Sequence, residues 1–531
     1  MLLLVCLYFA TLTSALSLPS LYAPISAACP STPLVRPADG LSTAESTYLG
    51  GRKLRANAAL ESWLRKTNSA FDTSKLPTVA LTSSGGGYRA LLSGAGVLQG
   101  FDARDSNVST SGILQAIQFH AGLSGGAWLL SSFAGNNYPT ITSLKDGLWK
   151  QAFQDSLLDP AYLLAAPAYI AVTDDILAKQ NAGFPPTLTD PWGRLLSYQL
   201  LYGFDGGVAT RLSSIASLSN FTSQNVPYPI ITGLGVNTFD GQCLPSSNGT
   251  TYEITPFEFG SWDSGVQTFT PTKYLGTKLT NGIPNGTCVQ NFDNLGYVLG
   301  TSSNLFNEAC QNVPSTNMSN IFGDLAAIVN KAHALSTRDE YAVYPNPFHN
   351  YARSSLVSAQ TELTLVDGGE AHQNNPIFPL LQPSRGVDVI IVNDNSADNS
   401  DNFPDGSEIL TTYIQSLSAG LTKMPFIPSV DTFVSKGLNK RPTFFGCNDT
   451  SKITIVYLPN VNYTFPSNEP TSKLQYAQDE TEGMIANGVQ IASMGGSSTW
   501  AACLGCAFMK KTGTALPGVC QSCFRTYCYV G

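Results

Sequence analysis

Two glycine-rich turns contain the residues best suited to chemistry. The sequence Gly122-Leu123-Ser124-Gly125-Gly126 has the pattern G-x-S-x-G, and a second turn, Ser84-Gly85-Gly86-Gly87, precedes it by about 40 residues. In α/β hydrolases this pattern forms a sharp strand-to-helix turn that exposes a nucleophilic serine. Backbone N–H groups of a second turn could stabilise the oxyanion that forms when such a serine attacks an ester carbonyl. The two turns together predict acyl transfer from an ester, with Ser124 as the nucleophile.

The upstream turn is open to other interpretations. A glycine turn after a strand can also cradle a phosphate, but no Gly-Lys-Ser/Thr follows this one, so it is not a Walker motif. Arg89 lies two residues beyond Gly87, where a helix is expected to begin. Its guanidinium could form a surface salt bridge or could hold a phosphate as a bidentate fork. The residues alone leave both roles open.

A nucleophilic serine needs a general base, and the chain offers two arrangements. It has four histidines, His120, His333, His349 and His372, and a Ser-His-Asp triad would have to use one of them. His372 is the strongest candidate because it follows Asp367 by five residues. Asp367 itself ends an apolar strand, a position at which α/β proteins place catalytic groups. A direct Ser124–Asp367 dyad is therefore the alternative, and spacing does not choose between dyad and triad.

The elements that must position these residues alternate between strands and helices. Strands are predicted at 79–81 and 117–119, directly before the two turns, and helices are predicted from about Arg89 and from about Ala127. Further strands are predicted at 230–232, 363–366, 387–392 and 453–457. Residues 389–392 are apolar on both faces of the strand, as expected when helices cover both sides of a sheet. The order of elements predicts a three-layer α/β/α core.

The domain boundaries follow from composition. Residues 1–16 contain a short apolar run followed by small residues and are predicted to be a signal peptide. Residues 17–45 are rich in Pro, Ser and Ala and are predicted to be an extended leader, and 46–531 is predicted to be one large domain that includes the Cys-rich C-terminal end. Within it, a helix is expected over 56–66, and 240–350 is interpreted as insertions on the core.

Cysteines and sequons favour an oxidising compartment. Ten cysteines remain after Cys6 of the signal segment, which permits five disulfides. The paired C-x-x-C units Cys503/Cys506 and Cys520/Cys523 have zinc-ribbon-like spacing, but disulfides are favoured in a secreted chain. N-x-S/T triplets begin at Asn107, Asn220, Asn248, Asn285, Asn317, Asn448 and Asn462. These features predict a secreted glycoprotein.

Charge and hydropathy exclude several classes of partner. The formal net charge is −8, which argues against nucleic-acid partners and against electrostatic capture by anionic membranes. No internal stretch reaches the roughly 18 apolar residues of a transmembrane helix. The C-terminal residues also lack the hydrophobic tail of a GPI signal.

Three motifs in order resemble a known family. The segments SGGGYRA, GLSGGAW and LVDGGEAHQNNPIFPLL resemble fungal phospholipase B, also called lysophospholipase, and more distantly the catalytic domain of cytosolic phospholipase A2. The Cys-rich end, WAACLGCAFMKKTGTALPGVCQSCFRTYC, is similar to the end of the fungal secreted enzymes. The resemblance runs from about residue 28 to the C-terminus. It implies a cytosolic phospholipase A2-like α/β fold with a mixed central sheet and insertions.

The resemblance also implies roles for single residues. It assigns Ser124 as nucleophile, Asp367 as its general base, Gly86 and Gly87 as oxyanion donors, and Arg89 as the residue that meets the substrate phosphate. His372 then has no catalytic role, and Asn374 and Asn375 are expected to structure the loop after the aspartate. The implied substrates are phospholipids and lysophospholipids at a membrane or micelle surface, hydrolysed without a metal or cofactor.

Three points stay open at this level. Family members bind the acyl chain in an apolar trough, and residues 162–170 are expected either at its mouth or in a core helix. A general esterase with a His372 triad would explain the same serine motif. A catalytically silent lipid-binding protein on the same fold is the rival that is not an enzyme.

Overall fold

A computed structural model describes residues 20–158, 165–311, 318–397 and 399–531 of the chain. The signal peptide predicted over 1–16 and the sequon at Asn317 lie outside these ranges, as do residues 162–164 of the predicted trough segment. The remainder of that segment enters a helix that begins at Ala165.

Short strands and helices alternate along the described chain. The strands are β1 (Ile25–Ala27), β2 (Arg36–Pro37), β3 (Val79–Ser83), β4 (Ile117–Gly122), β5 (Tyr228–Gly235), β6 (Thr251–Ile254), β7 (Glu258–Ser261), β8 (Thr268–Pro271), β9 (Leu279–Thr280), β10 (Ile283–Pro284), β11 (Cys288–Gln290), β12 (Ala342–Pro345), β13 (Glu362–Asp367), β14 (Val389–Asp394), β15 (Thr443–Phe445) and β16 (Thr454–Pro459). The α-helices are α1 (Thr43–Thr67), α2 (Gly87–Phe101), α3 (Ile113–Ala116), α4 (Ser124–Gly135), α5 (Ile141–Leu144), α6 (Lys150–Ala152), α7 (Ala165–Asn181), α8 (Thr189–Leu200), α9 (Ser219–Thr222), α10 (Leu295–Ser302), α11 (Met318–Val329), α12 (Ser407–Ser418), α13 (Val430–Ser435), α14 (Gln478–Ser493), α15 (Trp500–Met509) and α16 (Val519–Tyr527). All six strands predicted from the sequence are confirmed.

The centre of the fold is a mixed 12-stranded sheet. Its strand order is β15-β16-β14-β3-β4-β5-β6-β7-β8-β2, with β13 and β12 attached at β5. The neighbours from β16 to β5 are parallel, whereas β6, β7 and β8 continue the sheet as antiparallel strands. These three strands lie in the stretch interpreted as insertions, so part of that stretch extends the central sheet.

One edge of β5 receives two different strands. On that edge Ile231 pairs with Gly122 at the end of β4, and Gly233 pairs with Asp367 at the end of β13. The opposite edge pairs with β6 over the same residues of β5. Because β4 is parallel and β13 antiparallel to β5, the two strands run toward each other and their carboxyl ends meet.

Helices cover both faces of the sheet and close the predicted three-layer core. The inner strands β3, β4 and β14 are buried along their whole length, as the apolar sequence of 389–392 predicts. Helix α2 packs against α14 and α4, and α10 packs against α8 and α4. The predicted α/β/α fold is thereby confirmed.

The N-terminal part of the described chain packs on this core through strand pairing. Strand β1 pairs with β11, and β2 pairs with the edge strand β8. Helix α1 begins at Thr43, inside the segment predicted as a leader, and Ser42 caps it by accepting a hydrogen bond from the N–H of Glu45. The helix predicted over 56–66 is therefore too short. Its first half was missed because its inward positions include polar residues, Glu45 and Arg52, whose partners lie far away in the chain.

Five disulfides use all ten cysteines beyond Cys6. They join Cys29 to Cys288, Cys243 to Cys310, Cys447 to Cys528, Cys503 to Cys523 and Cys506 to Cys520. The two C-x-x-C units pair with each other between α15 and α16, so the preference for disulfides over zinc is confirmed. No helix among the described residues is long and apolar enough to cross a membrane.

Candidate active site

Ser124 begins helix α4 two residues after strand β4 ends. Its backbone φ is +48°, a left-handed conformation that a non-glycine residue adopts only when its surroundings enforce it. The N–H of Ser124 donates to Oγ of Ser302 over 3.1 Å, and Ser302 in turn donates to the carbonyl of Thr232 in β5. These contacts hold the strained turn that the G-x-S-x-G pattern predicts.

Asp367 lies at the meeting point of β13 and β4. Its carboxylate accepts a hydrogen bond from the N–H of Gly369 over 2.7 Å, and the Ser124 side chain is also a hydrogen-bonding partner. A Cβ placed on Gly368 would lie only 2.8 Å from Cβ of Leu123, so only glycine allows the two strand ends to approach this closely. The strand ends therefore bring together the two residues proposed as a dyad.

Burial sets the proton affinity of Asp367. The side chain is almost fully buried, and loss of solvation raises its pKa to about 7. The hydrogen bonds from Gly369 and Ser124 lower the pKa, and the nearby negative charge of Glu308 raises it. A carboxylate with this pKa can accept a proton near neutral pH far better than an ordinary aspartate.

The upstream glycine turn packs directly on the serine turn. Gly86 (φ +129°) precedes α2, and Gly87 (φ +56°) is its first residue. A Cβ on Gly125 would lie 2.1 Å from the carbonyl oxygen of Gly87, so the two turns touch backbone to backbone. The N–H groups of Gly86 and Gly87 donate no hydrogen bond to any described residue. They are therefore available at a helix N-terminus, where a developing negative charge is stabilised.

Asn374 holds the glycine turn against the loop that follows Asp367. Its Oδ1 and its carbonyl oxygen both accept from the N–H of Gly85, each over 3.1 Å, and its Nδ2 donates to Ser396. The N–H of Asn374 donates to the carboxylate of Glu408 at the start of α12. These contacts match the expectation that Asn374 structures this loop.

Arg89 is buried beneath the glycine turn instead of lying on the surface. Its Nε donates to the carbonyl of Asn395 over 2.9 Å, and its Nη1 donates to the carbonyl of Glu469 and to Oγ1 of Thr471. Its Nη2 lies beside Gly86, where a Cβ would approach it to 2.3 Å. The surface salt bridge considered from the sequence is thus replaced by contacts that hold residues 469–471 next to the upstream glycine turn.

No histidine ring hydrogen-bonds to Ser124 or Asp367 within the described part of the chain. His120 is buried and contacts Oγ of Ser83, and burial lowers its pKa to about 3. His333 contacts Asp339, and His349 contacts the carbonyl of Gln360. His372 is exposed on the loop after Asp367. The geometry favours the direct dyad over a triad.

A cavity of about 260 Å³ opens beside Ser124. The described residues that line it are Gly87, Ser124, Trp128, Trp192, Ser303, Leu305, Phe306, Glu308, Thr471, Ser472 and Leu474. Trp128 lies one helical turn after Ser124, on the same face of α4. The indole N–H groups of Trp128 and Trp192 both donate to Oγ of Ser303, at 3.0 and 3.1 Å, which fixes the two rings.

Sequence reasoning missed several residues of the site. Ser302, Ser303 and Glu308 all lie between 295 and 311, within the stretch whose composition predicts insertions. The signal that could have revealed them is the polar run Thr301-Ser302-Ser303-Asn304 at the end of an apolar helix. The N–H of Asp367 donates to the carbonyl of Asn304, so this run contacts the end of β13 directly.

The predicted sequons lie mostly on the surface. Exposed sequon residues are Asn107, Asn248, Asn285, Asn448 and Asn462. Asn220 is half-buried, and its Nδ2 donates to the carbonyl of Asn137 over 2.8 Å.

The family model and the relatives in sequence agree on one family, and a solved structure shares the fold. Residues 79–531 match the family model described as a lysophospholipase catalytic domain. Lysophospholipase 2 of Aspergillus fumigatus is 39% identical over 554 residues, which cover 97% of this chain and 94% of that protein. Probable lysophospholipase 5 of Schizosaccharomyces pombe is 38% identical, with 96% of this chain and 87% of that protein covered. The structure of human GIVD cytosolic phospholipase A2 superposes with a TM-score of 0.69 at 16% identity, over 91% of this chain and 69% of that chain.

Proposed function

The chain belongs to the lysophospholipase catalytic domain family, whose members are lipid ester hydrolases, and we propose that it releases fatty acids from lysophospholipids and phospholipids through a Ser124–Asp367 dyad. The observation that carries this proposal is the meeting of a strained serine and a buried aspartate at the ends of β4 and β13. The substrate would be presented at a membrane or micelle surface.

The first half of the reaction acylates the enzyme. Asp367 takes the proton of the Ser124 hydroxyl while Oγ attacks the carbonyl carbon of the fatty ester. The tetrahedral intermediate then collapses, and the proton on Asp367 passes to the departing glycerol oxygen. The products of this step are an acyl-serine ester and the deacylated phospholipid alcohol.

The oxyanion is stabilised at the N-terminus of α2. The backbone of Gly87 packs on the turn on which Ser124 lies, and Gly86 directly precedes Gly87. Their N–H groups are the proposed oxyanion donors, and each such donor typically contributes a few kcal/mol to the stabilisation of the transition state. Because Gly125 packs on Gly87, these donors keep a constant position relative to the nucleophile.

The second half hydrolyses the acyl-serine. Asp367 takes a proton from a water molecule, whose oxygen attacks the acyl carbonyl, and Ser124 recovers its proton when the intermediate collapses. A fatty acid is released. The apolar side chains Trp128, Leu305, Phe306 and Leu474 give the substrate a largely apolar surface beside the nucleophile.

Arg89 is proposed to meet the substrate phosphate. Its Nη2 lies beside Gly86, so a phosphate held near the oxyanion turn would be within reach of a delocalised positive charge. Its Nη1 holds residues 469–471, and Thr471 lines the cavity together with Ser472 and Leu474. Arg89 would thus position the cavity wall as well as the phosphate.

We further propose that the mature chain is secreted and N-glycosylated. Five disulfides are typical of proteins that fold in an oxidising compartment, and five sequon residues are exposed. An intact-mass measurement of protein from the culture medium, before and after enzymatic deglycosylation, tests both statements.

The decisive experiment compares the wild type with Ser124→Ala. We expect fatty-acid release from lysophosphatidylcholine and from diacyl phosphatidylcholine to fall by about 10³-fold or more in the variant. Ser131→Ala is the matched control, because Ser131 is buried on the same helix and its hydroxyl has no hydrogen-bond partner among the described residues. Full activity of Ser124→Ala would overturn the assignment, and an inactive but folded wild type would favour the silent lipid-binding alternative.

A further inference from the structure

Glu308 brings a charge into a cavity that is otherwise uncharged. It is the one ionisable side chain among the described residues that line the cavity beside Ser124. The nearby charge of Glu308 raises the pKa of Asp367, so the two carboxylates lie close enough to interact.

The carboxylate of Glu308 has no partner within the described part of the chain. No described residue donates a hydrogen bond to it or forms an ion pair with it. The side chain is half-buried, and this partial loss of solvation raises its pKa. Two other carboxylates near the site are supported: Glu370 accepts from Nδ2 of Asn307 over 2.7 Å, and Glu408 accepts from the N–H of Asn374 over 2.7 Å. A partly desolvated carboxylate without a partner is costly, and a cationic ligand would relieve that cost.

The walls around Glu308 suit a cation better than an anion. The rings of Trp128 and Trp192 lie 5.9 Å apart between centroids, and Trp192 meets Phe306 edge to face at 6.0 Å. The hydrogen bonds to Ser303 fix both indoles, so the aromatic wall is already formed before a ligand binds. Aromatic faces combined with a carboxylate are the surroundings in which proteins hold quaternary ammonium groups.

An acyl chain would interact favourably with only the aromatic part of this cavity wall. It would pack well on the aromatic rings, but it would desolvate the carboxylate of Glu308 without pairing with it. An ammonium group would interact favourably with both the aromatic rings and the carboxylate. The proposed phosphate contact at Arg89 lies beside Gly86, next to another lining residue, Gly87. A positive side chain near the phosphate and a negative one near the ammonium would match the two charges of a zwitterionic headgroup.

We propose that Glu308, with the aromatic wall of Trp128, Trp192 and Phe306, recognises the ammonium group of the substrate headgroup and makes the enzyme prefer choline- and ethanolamine-containing lysophospholipids over anionic ones. This inference rests on the proposed lysophospholipase function. Glu308 acts here as a specificity residue and takes no part in bond making or breaking.

The test measures kcat/KM of the wild type and of Glu308→Gln on three substrates with the same acyl chain: lysophosphatidylcholine, lysophosphatidylglycerol and monoacylglycerol. Both lysophospholipids carry the free glycerol hydroxyl and the phosphate, and only the first carries a cation. We expect the ratio of lysophosphatidylcholine to lysophosphatidylglycerol activity to fall about tenfold in Glu308→Gln, mainly through KM. Glu308→Asp, which keeps the charge, should retain part of the preference.

The outcomes separate the two proposals. Because the charge of Glu308 also acts on Asp367, its removal can change all three activities by a common factor, which the ratio cancels. An unchanged ratio would overturn the headgroup assignment while leaving the dyad intact. Monoacylglycerol hydrolysis reports whether the variant is folded and competent. A wild type that hydrolyses monoacylglycerol but neither lysophospholipid would instead contradict the proposed function itself.

Discussion

Ser124 and Asp367 lie side by side because the strands that carry them end against the same edge of β5. Gly122 pairs with Ile231 on that edge, and Asp367 pairs with Gly233 two residues further along. Since β13 runs antiparallel to β5 and β4 runs parallel to it, their carboxyl ends point at each other. The sheet itself therefore brings the aspartate to the serine, and no histidine among the described residues bridges the two side chains.

This arrangement predicts opposite results for two neighbouring substitutions. Asp367→Asn removes the proton acceptor and should lower kcat for fatty-acid release by about 10³-fold or more. His372→Ala changes an exposed ring on the same loop and should keep activity within about twofold of the wild type. Steady-state kinetics on lysophosphatidylcholine tests both variants. A large loss of activity in a folded His372→Ala variant would favour the Ser-His-Asp triad instead.

Activity should decline on the acid side of about pH 7. Burial raises the pKa of Asp367 to about 7, and only its deprotonated form can accept the serine proton. Below that pH, kcat/KM should fall by about tenfold per pH unit, measured on a neutral ester so that the substrate does not titrate. Glu308→Gln should shift this limb to lower pH, because the charge of Glu308 raises the pKa of Asp367. A flat profile between about pH 5 and 8, with the protein still folded, would exclude Asp367 as the base.

Gly125→Ala should separate the two glycine turns. Its Cβ would lie 2.1 Å from the carbonyl oxygen of Gly87, and backbone on both sides leaves no flexible side chain to move away. Displacement of the oxyanion donors should lower kcat by about 10²-fold, and overpacking should cost about 1–3 kcal/mol in the free energy of unfolding. Gly323→Ala is the control, because a Cβ at this helical position meets no described atom within 4 Å. Near-normal activity of Gly125→Ala would show that the Gly87 N–H is not an oxyanion donor.

Arg89→Ala should reduce activity more on phospholipid than on a neutral ester. A contact with phosphate is lost only when the substrate carries one, whereas a loosened cavity wall affects both substrates alike. Thr471→Val is the matched control, since it removes only the hydroxyl that Nη1 of Arg89 contacts over 3.1 Å. Comparison of kcat/KM on lysophosphatidylcholine and monoacylglycerol distinguishes a phosphate contact from a purely positioning role. An equal loss on both substrates, reproduced by Thr471→Val, would leave Arg89 with a positioning role alone.

Local signals in the sequence were strong at the glycine turns and in the inner strands. Residues 389–392 are apolar without interruption, and such a run is stable only as a strand covered on both faces. Gly86 and Gly87 adopt positive φ values, which glycine adopts readily and other residues do not. The two glycines therefore predict the turn from the sequence alone. The pairing of cysteines as disulfides also followed from composition, although their connectivity did not.

Long-range contacts decided what local patterns could not. The first half of α1 depends on Arg52, which donates to the carbonyl of Ile117, and on Glu45, which pairs with Arg385. Helical periodicity of apolar residues carries no information about such partners. In the same way, the polar run at 301–304 became part of the site only because it contacts Ser124 and Asp367 across the fold.

By itself, the sequence determined the two glycine turns, the α/β class and the family, because each depends on neighbouring residues and their backbone preferences. The tertiary structure favours the proposed dyad over a triad, since the strand pairing on β5 brings the end of β13, and with it Asp367, next to the turn of Ser124. It also placed Arg89 beneath the upstream glycine turn and Glu308 in the cavity wall. The physical reason is the same in each case. What a side chain can contact, and how its charge acts, depends on residues that are distant in the chain and are brought around it only by folding.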